Sequence, residues 1–280
     1  MTNQLHLSFE FFAAKTKEGK QKLKTTCEKL NKYSPEFYSV TYGAGGSTRD
    51  TTKDLVLDIQ RDGYQAAPHL SVGGDRRDDV LALVQSYADA GINKLVALRG
   101  DLPSGIGGTK QLVHANELVA LVREKSGDHF EINVGAYPEI HPEAESYSKD
   151  IYWLSEKFKA GADRAITQYF YNPDAYFRFI DECTKAGIDK PIVPGIMPLT
   201  NYHNLVRFSD NCGAEIPRWL RWQLKERSDS PQDLVKYGLD IVTNLCEKLV
   251  AGGAPGLHFY TMNQWQNSDT LCSNLGLTTK

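Results

Sequence analysis

A single (β/α)8 TIM barrel, with extra helices before the last strand, is the fold this sequence predicts, and three observations predict it. Short apolar runs alternate with amphipathic stretches eight times along the 280 residues, at the roughly 30-residue spacing of βα units. Near copies of one motif, Ala90-Gly91-Ile92-Asn93-Lys94, Ala160-Gly161-Ala162-Asp163-Arg164 and Ala186-Gly187-Ile188-Asp189-Lys190, each fall between an amphipathic stretch and an apolar run, with Ala251-Gly252-Gly253-Ala254 a looser fourth. A glycine there supplies the left-handed cap that turns a helix back into a sheet. Runs such as Leu95-Val96-Ala97-Leu98 are continuous, as strands covered on both faces are. Periodicity does not itself show closure, so a doubly wound open sheet is the alternative. No linker-like tract interrupts the pattern, and residues 1–280 read as one domain.

The elements follow in order. Residues 5–12 alternate, with Leu5, Leu7, Phe9 and Phe11 on one face and His6, Ser8 and Glu10 on the other, which predicts a strand. Lys15 to Lys32 is an amphipathic helix, and Phe37 to Tyr42 a second strand. Ser47 or Thr48 can cap a helix running to Arg61. Ala66–Val72 is the third strand, Arg76–Ala90 its helix, and Leu95–Leu98 the fourth strand, ending on Arg99-Gly100-Asp101-Leu102-Pro103. A glycine-rich loop, Ser104 to Gly108, leads to a helix ending near Lys125. Strands over Ile132–Tyr137, Arg164–Tyr171, Ile192–Met197 and Leu257–Met262 complete the set. Their helices are Ser146–Ala160, Ala175–Lys185, Tyr202–Asp210, Pro217–Lys225 and Pro231–Val250, with a last one at the C-terminus.

Composition narrows the function classes. A chain 41% hydrophobic and 24% charged buries a real core. A net charge of −3 gives no electrostatic footprint for nucleic acid or an anionic membrane. Cys27, Cys183, Cys212, Cys246 and Cys272 are scattered and form no Cys-x-x-Cys pair, so they read as buried helix residues. The N-terminal residues carry neither a basic region nor a long apolar stretch, and the expected location is cytoplasmic.

In such barrels the chemistry sits at the carboxyl ends of the strands. Those ends bear Glu10, Thr41, His69, Arg99 with Asp101, Tyr137, Gln168 and Asn263. Glu10 lies between Phe9, Phe11 and Phe12, a setting expected to disfavour its charge, raise its pKa and suit it to general-acid work. His69, His114, His141 and His203 lie on separate segments with no metal-ligand spacing, and no metal is expected. Gly43-Ala44-Gly45-Gly46 and Gly105-Ile106-Gly107-Gly108 are neither a dinucleotide fingerprint nor a P-loop, and no Gly-x-Ser-x-Gly elbow occurs.

Eight motifs then occur in one order: Ser8-Phe9-Glu10-Phe11-Phe12, Thr41-Tyr42-Gly43-Ala44, Ala67-Pro68-His69-Leu70, Leu98-Arg99-Gly100-Asp101-Leu102-Pro103, Ala136-Tyr137-Pro138-Glu139, His141-Pro142-Glu143-Ala144, Ala165-Ile166-Thr167-Gln168 and His258-Phe259-Tyr260-Thr261. Together they resemble the bacterial, FAD-dependent methylenetetrahydrofolate reductase family over residues 7 to 275. The resemblance implies an FAD-containing barrel enzyme of one-carbon metabolism and methionine biosynthesis. It would reduce 5,10-methylenetetrahydrofolate to 5-methyltetrahydrofolate with NADH in preference to NADPH, by a ping-pong route, as a homodimer or homotetramer.

By the same resemblance, Glu10 is the acid that supports protonation of folate N10, and Asp101 lies beside the flavin pyrimidine and the pterin. Gln168 matches a pterin-contacting amide and Phe208 an aromatic that stacks on folate or nicotinamide. Asn204 and Gln264 stand where a glutamine and an arginine contact folate in enteric members. The positions matching FAD contacts are Thr41, Tyr42, Ala44, His69, Arg99, Gly100, Asp101, Ala115, Tyr137, His141, Ala144, Asp150 and Lys157. The sequence departs from the family pattern at Ala13-Ala14, where many members have prolines, at His114, where a tyrosine is common, and at Trp153 and Glu156, where an asparagine and an arginine often help hold the adenosine end of FAD. A folate- or pterin-binding barrel acting in methyl or aldol transfer without flavin is the alternative function.

Overall fold

The computed structural model describes residues 5–42, 49–71, 76–99 and 114–277. Its strands are β1 (His6–Phe11), β2 (Phe37–Val40), β3 (Ala66–Ser71), β4 (Lys94–Leu98), β5 (Glu131–Ala136), β6 (Arg164–Tyr169), β7 (Ile192–Ile196) and β8 (Gly256–Tyr260). They pair in sequence order, all parallel, and β8 closes on β1 with His6 opposite Gly256 and Glu10 opposite Tyr260. Closure removes the open-sheet alternative.

The helices are α1 (Lys17–Leu30), α2 (Arg49–Arg61), α3 (Arg77–Asp89), α4 (Ala115–Ser126), α5 (Tyr147–Lys159), α6 (Pro173–Lys185), α7 (Tyr202–Cys212), α8 (Arg218–Glu226), α9 (Pro231–Ala251) and α10 (Trp265–Asn274). Short polar side chains start several of them: Thr16 accepts from Gly19 N, Ser146 from Lys149 N and Asn201 from Asn204 N. The repeated Ala-Gly motif does what its sequence predicts. Gly91 and Gly187 take φ of +76° and +78° at the ends of α3 and α6, where a side chain would be strained. Several boundaries differ from the periodicity by a few residues, two of them with a local cause. The first helix stops at Leu30 because a 3-10 turn, Asn31–Tyr33, carries the chain into Ser34 at φ +50°. The sixth strand ends at Tyr169, where its pairing with β7 shifts register. The proposed Ser47 or Thr48 cap lies outside the described residues.

The pleat of β1 divides the molecule. Leu7, Phe9 and Phe11 point outward into the layer between barrel and helices, and all three are buried. Phe9 stacks on Phe259 of β8 at 5.5 Å, and Phe11 on Tyr38 of β2 at 5.6 Å. His6, Ser8 and Glu10 point into the barrel. The middle of that interior is a small apolar layer of Phe37, Ala67, Val96 and Ile166, with Leu98 against it. The sheet is tight near the site: a Cβ on Gly195 would fall 2.2 Å from the Thr167 carbonyl oxygen and 2.6 Å from the Tyr260 ring. None of the described helices is long and apolar enough to cross a membrane.

The amino-terminal mouth is closed by charge. From the start of β6, Arg164 Nη1 reaches Glu36 Oε2, just ahead of β2, at 2.5 Å. The other oxygen of Glu36 pairs with His6, and Lys94 Nζ lies 2.5 Å from Glu131 Oε2. Burial pushes the Glu36 carboxyl up, but the Arg164 and His6 contacts outweigh it and hold the group below its ordinary 4.5. A carboxylate with a lowered folded-state pKa stabilises the fold above its unfolded value, and that contribution fades as pH falls through the folded one. Replacing Glu36 with Gln is therefore expected to cost about 1 kcal/mol at neutral pH, since it removes the nearer of two carboxylates beside a mostly buried guanidinium and leaves Glu131, 3.7 Å from Arg164 Nε. In urea titrations the gap from the parent protein should shrink as pH drops below 4.5. An equal gap at pH 7 and pH 4 would mean that charge is not what Glu36 contributes.

Candidate active site

Glu10 ends the inward face of β1, and β3 and β8 bring two imidazoles to it. Oε2 of Glu10 lies 3.2 Å from His69 Nε2 and 3.3 Å from His258 Nε2. Behind this pair, Nδ1 of His258 is 2.7 Å from Ser8 Oγ, inside the barrel. The backbone of Glu10 is equally constrained. Thr261 Oγ1 donates to the Glu10 carbonyl at 2.7 Å. The Asn263 amide spans Phe12, accepting from its N–H at 2.8 Å and donating to its carbonyl at 2.9 Å. Met262 and Asn263 adopt φ of +54° and +58° to make that turn, a left-handed step that non-glycine residues take at some cost.

The ionisation of Glu10 is the reverse of what its sequence neighbours suggest. Burial does push the carboxyl up, but His69 and His258 together pull it down to about 2. Phe9 and Phe11 stand on the opposite face of the pleat and do not surround the carboxyl at all. Glu10 is therefore a carboxylate at neutral pH.

Around this cluster several buried polar atoms lack a hydrogen-bond partner among the described residues. They include Ser39 Oγ and Thr41 Oγ1 on and just after β2, and His69 Nε2, whose approach to Glu10 has ion-pair distance without hydrogen-bond alignment. Such atoms are rare in protein cores, where a buried polar group ordinarily has a protein or water partner.

The rim continues along β4, β5 and α5. Arg99 Nη1 pairs with Glu143 Oε2 at 2.6 Å. Tyr137 meets His141 edge to face at 4.5 Å, and Asp150 Oδ2 accepts from His141 N at 2.8 Å. Ala144 N donates to the His141 carbonyl, and Ala115 opens α4. Lys157 donates to the Gly135 carbonyl at 2.5 Å, and burial pulls its ammonium down to about 8 against the pull of Asp150. His114 stacks on Trp153 at 5.3 Å. The rest of the expected set is spread along other elements. Gln168 is the penultimate residue of β6, its Oε1 3.0 Å from Tyr169 N, and Phe208 is half-buried on α7. Asn204 and Gln264 are exposed at the starts of α7 and α10, and Tyr42 follows Thr41 beyond β2. Ala44, Gly100 and Asp101 lie outside the described residues.

Strand-end reasoning passed over Ser8, His258 and Glu139. Strict alternation in Leu257-His258-Phe259-Tyr260 is the signal that turns His258 and Tyr260 inward. Glu139 is partly buried beside the rim, accepts from Glu215 N at 2.8 Å through one oxygen, and its other oxygen has no hydrogen-bond partner among the described residues. Burial raises its pKa to about 7. A carboxyl raised in the folded state binds more protons there than when unfolded, so stability falls as pH climbs from 4.5 towards 7. Glu139→Gln keeps the acceptor for Glu215 and removes the titration. It is expected to gain about 1 kcal/mol at pH 8 and nothing at pH 4, after allowing for solvent screening at a partly exposed site. Melting temperatures of the two proteins across that range check it, and a margin over the parent no larger at pH 8 than at pH 4 refutes it.

The comparisons bear on this geometry. The family model described as methylenetetrahydrofolate reductase matches residues 1–276. The chain is 39% identical over 275 residues to the 5,10-methylenetetrahydrofolate reductases of Salmonella typhimurium and Escherichia coli, covering 98% of this chain and 92% of each enzyme. It is 36% identical to methylenetetrahydrofolate reductase (NADH) 1 of Arabidopsis thaliana, of which it spans 49%. Among solved structures, an uncharacterized protein from Clostridium thermocellum that binds two copies of 5-methyl-5,6,7,8-tetrahydrofolic acid superposes with a TM-score of 0.67 over 96% of this chain and 93% of that one. At 15% identity that likeness speaks for the fold alone. A barrel of this topology, matched along almost its whole length, belongs to the methylenetetrahydrofolate reductase family of oxidoreductases.

Proposed function

We propose that this chain reduces 5,10-methylenetetrahydrofolate to 5-methyltetrahydrofolate with bound FAD, NADH serving as reductant and the two substrates using one face of the site in turn. The observation that carries the reading is Glu10, an ionised carboxylate fixed between two imidazoles at the carboxyl end of the barrel. Opening the methylene bridge to a 5-iminium cation requires a proton on folate N10. Glu10 is the group assigned to support that transfer, through a water molecule. Asp101 would lie against the pterin and stabilise the developing cation by Coulomb attraction in a site of low effective dielectric. Gln168 would read the pterin through its paired donor and acceptor, Phe208 would stack on the aminobenzoate or the nicotinamide, and Asn204 and Gln264 would meet the outer part of the folate.

The residues fit FAD by their chemistry. Thr41 Oγ1 is a buried polar atom without a hydrogen-bond partner among the described residues, and His69 Nε2 sits buried 3.2 Å from Glu10; both are of the type that the nitrogens and oxygens of a flavin ring take. Arg99 and the partly buried Lys157 bring positive charge for a pyrophosphate. Tyr42, Ala44, Gly100, Asp101, Ala115, Tyr137, His141, Ala144 and Asp150 complete the set assigned to it. FAD supplies the hydride chemistry, and the chain supplies orientation and local charge.

A yellow protein, bleached by NADH without oxygen and restored by methylenetetrahydrofolate, is the expected result. Glu10→Gln should still bleach and should not recover on adding the folate. Recovery at the parent rate would remove Glu10 from its role. A colourless protein that binds folate and leaves NADH untouched would move the reading to flavin-free folate chemistry.

A further inference from the structure

We propose that His114 and Trp153 form an aromatic step on which the adenine of FAD stacks. The inference rests on the flavin reading above and adds to it the group by which this chain tells a flavin dinucleotide from a mononucleotide.

The step stands out on the surface. Trp153 is 42% exposed and its neighbour Tyr152 46%, where an indole is ordinarily well covered. Exposure alone would mean little, since single apolar side chains are common on protein surfaces. What sets this pair apart is its order. The rings of His114 and Trp153 lie 5.3 Å apart and within 16° of parallel, and Tyr152 meets Trp153 at 5.3 Å and 70°. The two rings come from different helices that pack on each other. His114 immediately precedes α4, where its N–H donates to Glu117 Oε2 at 2.9 Å, and Trp153 stands on α5. Two parallel rings held from two elements, and still partly open to solvent, are preorganised to take a third.

The neighbours of the step say what that third ring belongs to. Asp150, Trp153 and Lys157 stand three and four residues apart on α5 and so share one face. Lys157 reaches in to the Gly135 carbonyl, and Arg99 comes from the end of β4 to pair with Glu143. The one carboxylate beside Lys157 in sequence, Glu156, is paired with Lys159 Nζ at 2.8 Å. At the other edge of the step, Lys149 Nζ lies 5.3 Å over the Tyr152 ring. Cations and parallel rings on one helix face suit a ligand that carries a diphosphate and a planar base together. An acidic peptide would use the cations and leave the rings idle. The adenosine diphosphate half of FAD uses both. Thr41 and His69, on and just after other strands, are assigned to the flavin ring, which leaves the step to the base.

Binding of FAD and of FMN to the flavin-stripped chain, followed by quenching of flavin fluorescence, separates the base from the ring. Trp153→Ala is expected to weaken FAD ~10-fold more than it weakens FMN, the loss that removing one aromatic from a base stack brings. His114→Ala should reduce the same preference about 3-fold, and Trp153→Phe, which keeps a ring, should retain most of it. Equal weakening of the two flavins by Trp153→Ala, or no weakening of FAD, overturns the inference. ADP alone probes the step without a flavin. It should quench indole emission in the parent, and that quenching should vanish in Trp153→Phe. Quenching that survives there arises from another of the four tryptophans and counts against the step. If Trp153→Ala does not fold, the ADP comparison of the parent with Trp153→Phe decides. A chain that takes up neither flavin refutes the flavin reading. ADP quenching of Trp153 would then still show the step to be a base platform, and its absence would remove both.

Discussion

Everything in this molecule hangs from the closure of β8 onto β1 and the pleat that comes with it. Side chains along a strand alternate, so a slip of one residue would exchange the inner and outer faces of β1. In the observed register Leu7, Phe9 and Phe11 seal the layer under the helices, while His6, Ser8 and Glu10 supply one residue to each level of the interior. His6 joins the charged mouth, Ser8 meets His258, and Glu10 faces the two imidazoles. Packing and chemistry are thus enforced by the same register. The aromatic stacks of Phe9 on Phe259 and Phe11 on Tyr38 hold the outer face in place, and the inner face has no freedom to move without them.

The two mouths of the barrel handle polar groups differently. At the amino-terminal mouth, charges from five different strand starts meet in pairs: Glu36 takes both Arg164 and His6, and Lys94 takes Glu131. That end spends its charge on cohesion. At the carboxyl mouth the accounts are left open. Among the described residues Thr41 Oγ1 and one oxygen of Glu139 have no hydrogen-bond partner, as is also true of Glu131 Oε1 at the other mouth, His69 Nε2 has only its 3.2 Å approach to Glu10, and burial lowers the Lys157 ammonium. Groups held away from their ordinary ionisation cluster at functional sites more often than elsewhere. The contrast follows from where βα loops stand in this architecture, since they alone can supply and withdraw partners.

Much of this was legible in the chain. The helix-ending Ala-Gly repeats, the continuous apolar runs and the strand-end polar residues placed the fold and the working face, because each is a local signal with a local cause. The ionisation of Glu10 was not legible, and the reason is geometric. Phe9 and Phe11 are its neighbours in sequence but lie on the other side of the sheet. His258, 248 residues away, is its neighbour in space. Sequence proximity therefore reported desolvation and missed the charges that overrule it. Ser8 and His258 stood inside quoted motifs yet carried no role, since only the register between β1 and β8 makes them a pair. Ala44, Gly100 and Asp101 lie outside the described residues, so their part in the site remains a reading of the sequence.

A carboxylate with a low pKa looks like a poor choice where a proton must be given. The objection holds only if the carboxylate acts alone. A group that stays anionic can orient a water molecule and draw a proton through it once a substrate nitrogen offers a better acceptor. What it gains by not being protonated at rest is Coulomb attraction for a cation developing in front of it. In the reaction proposed here both demands arise in one step, a proton on the departing nitrogen and a positive charge on the carbon it leaves. A carboxylate held ionised between two imidazoles supplies the second directly, whereas a carboxylic acid neutralised by an apolar pocket would supply only the first. The geometry of His69, His258 and Glu10 is of the former kind, and the phenylalanines that suggested the latter are spent on packing.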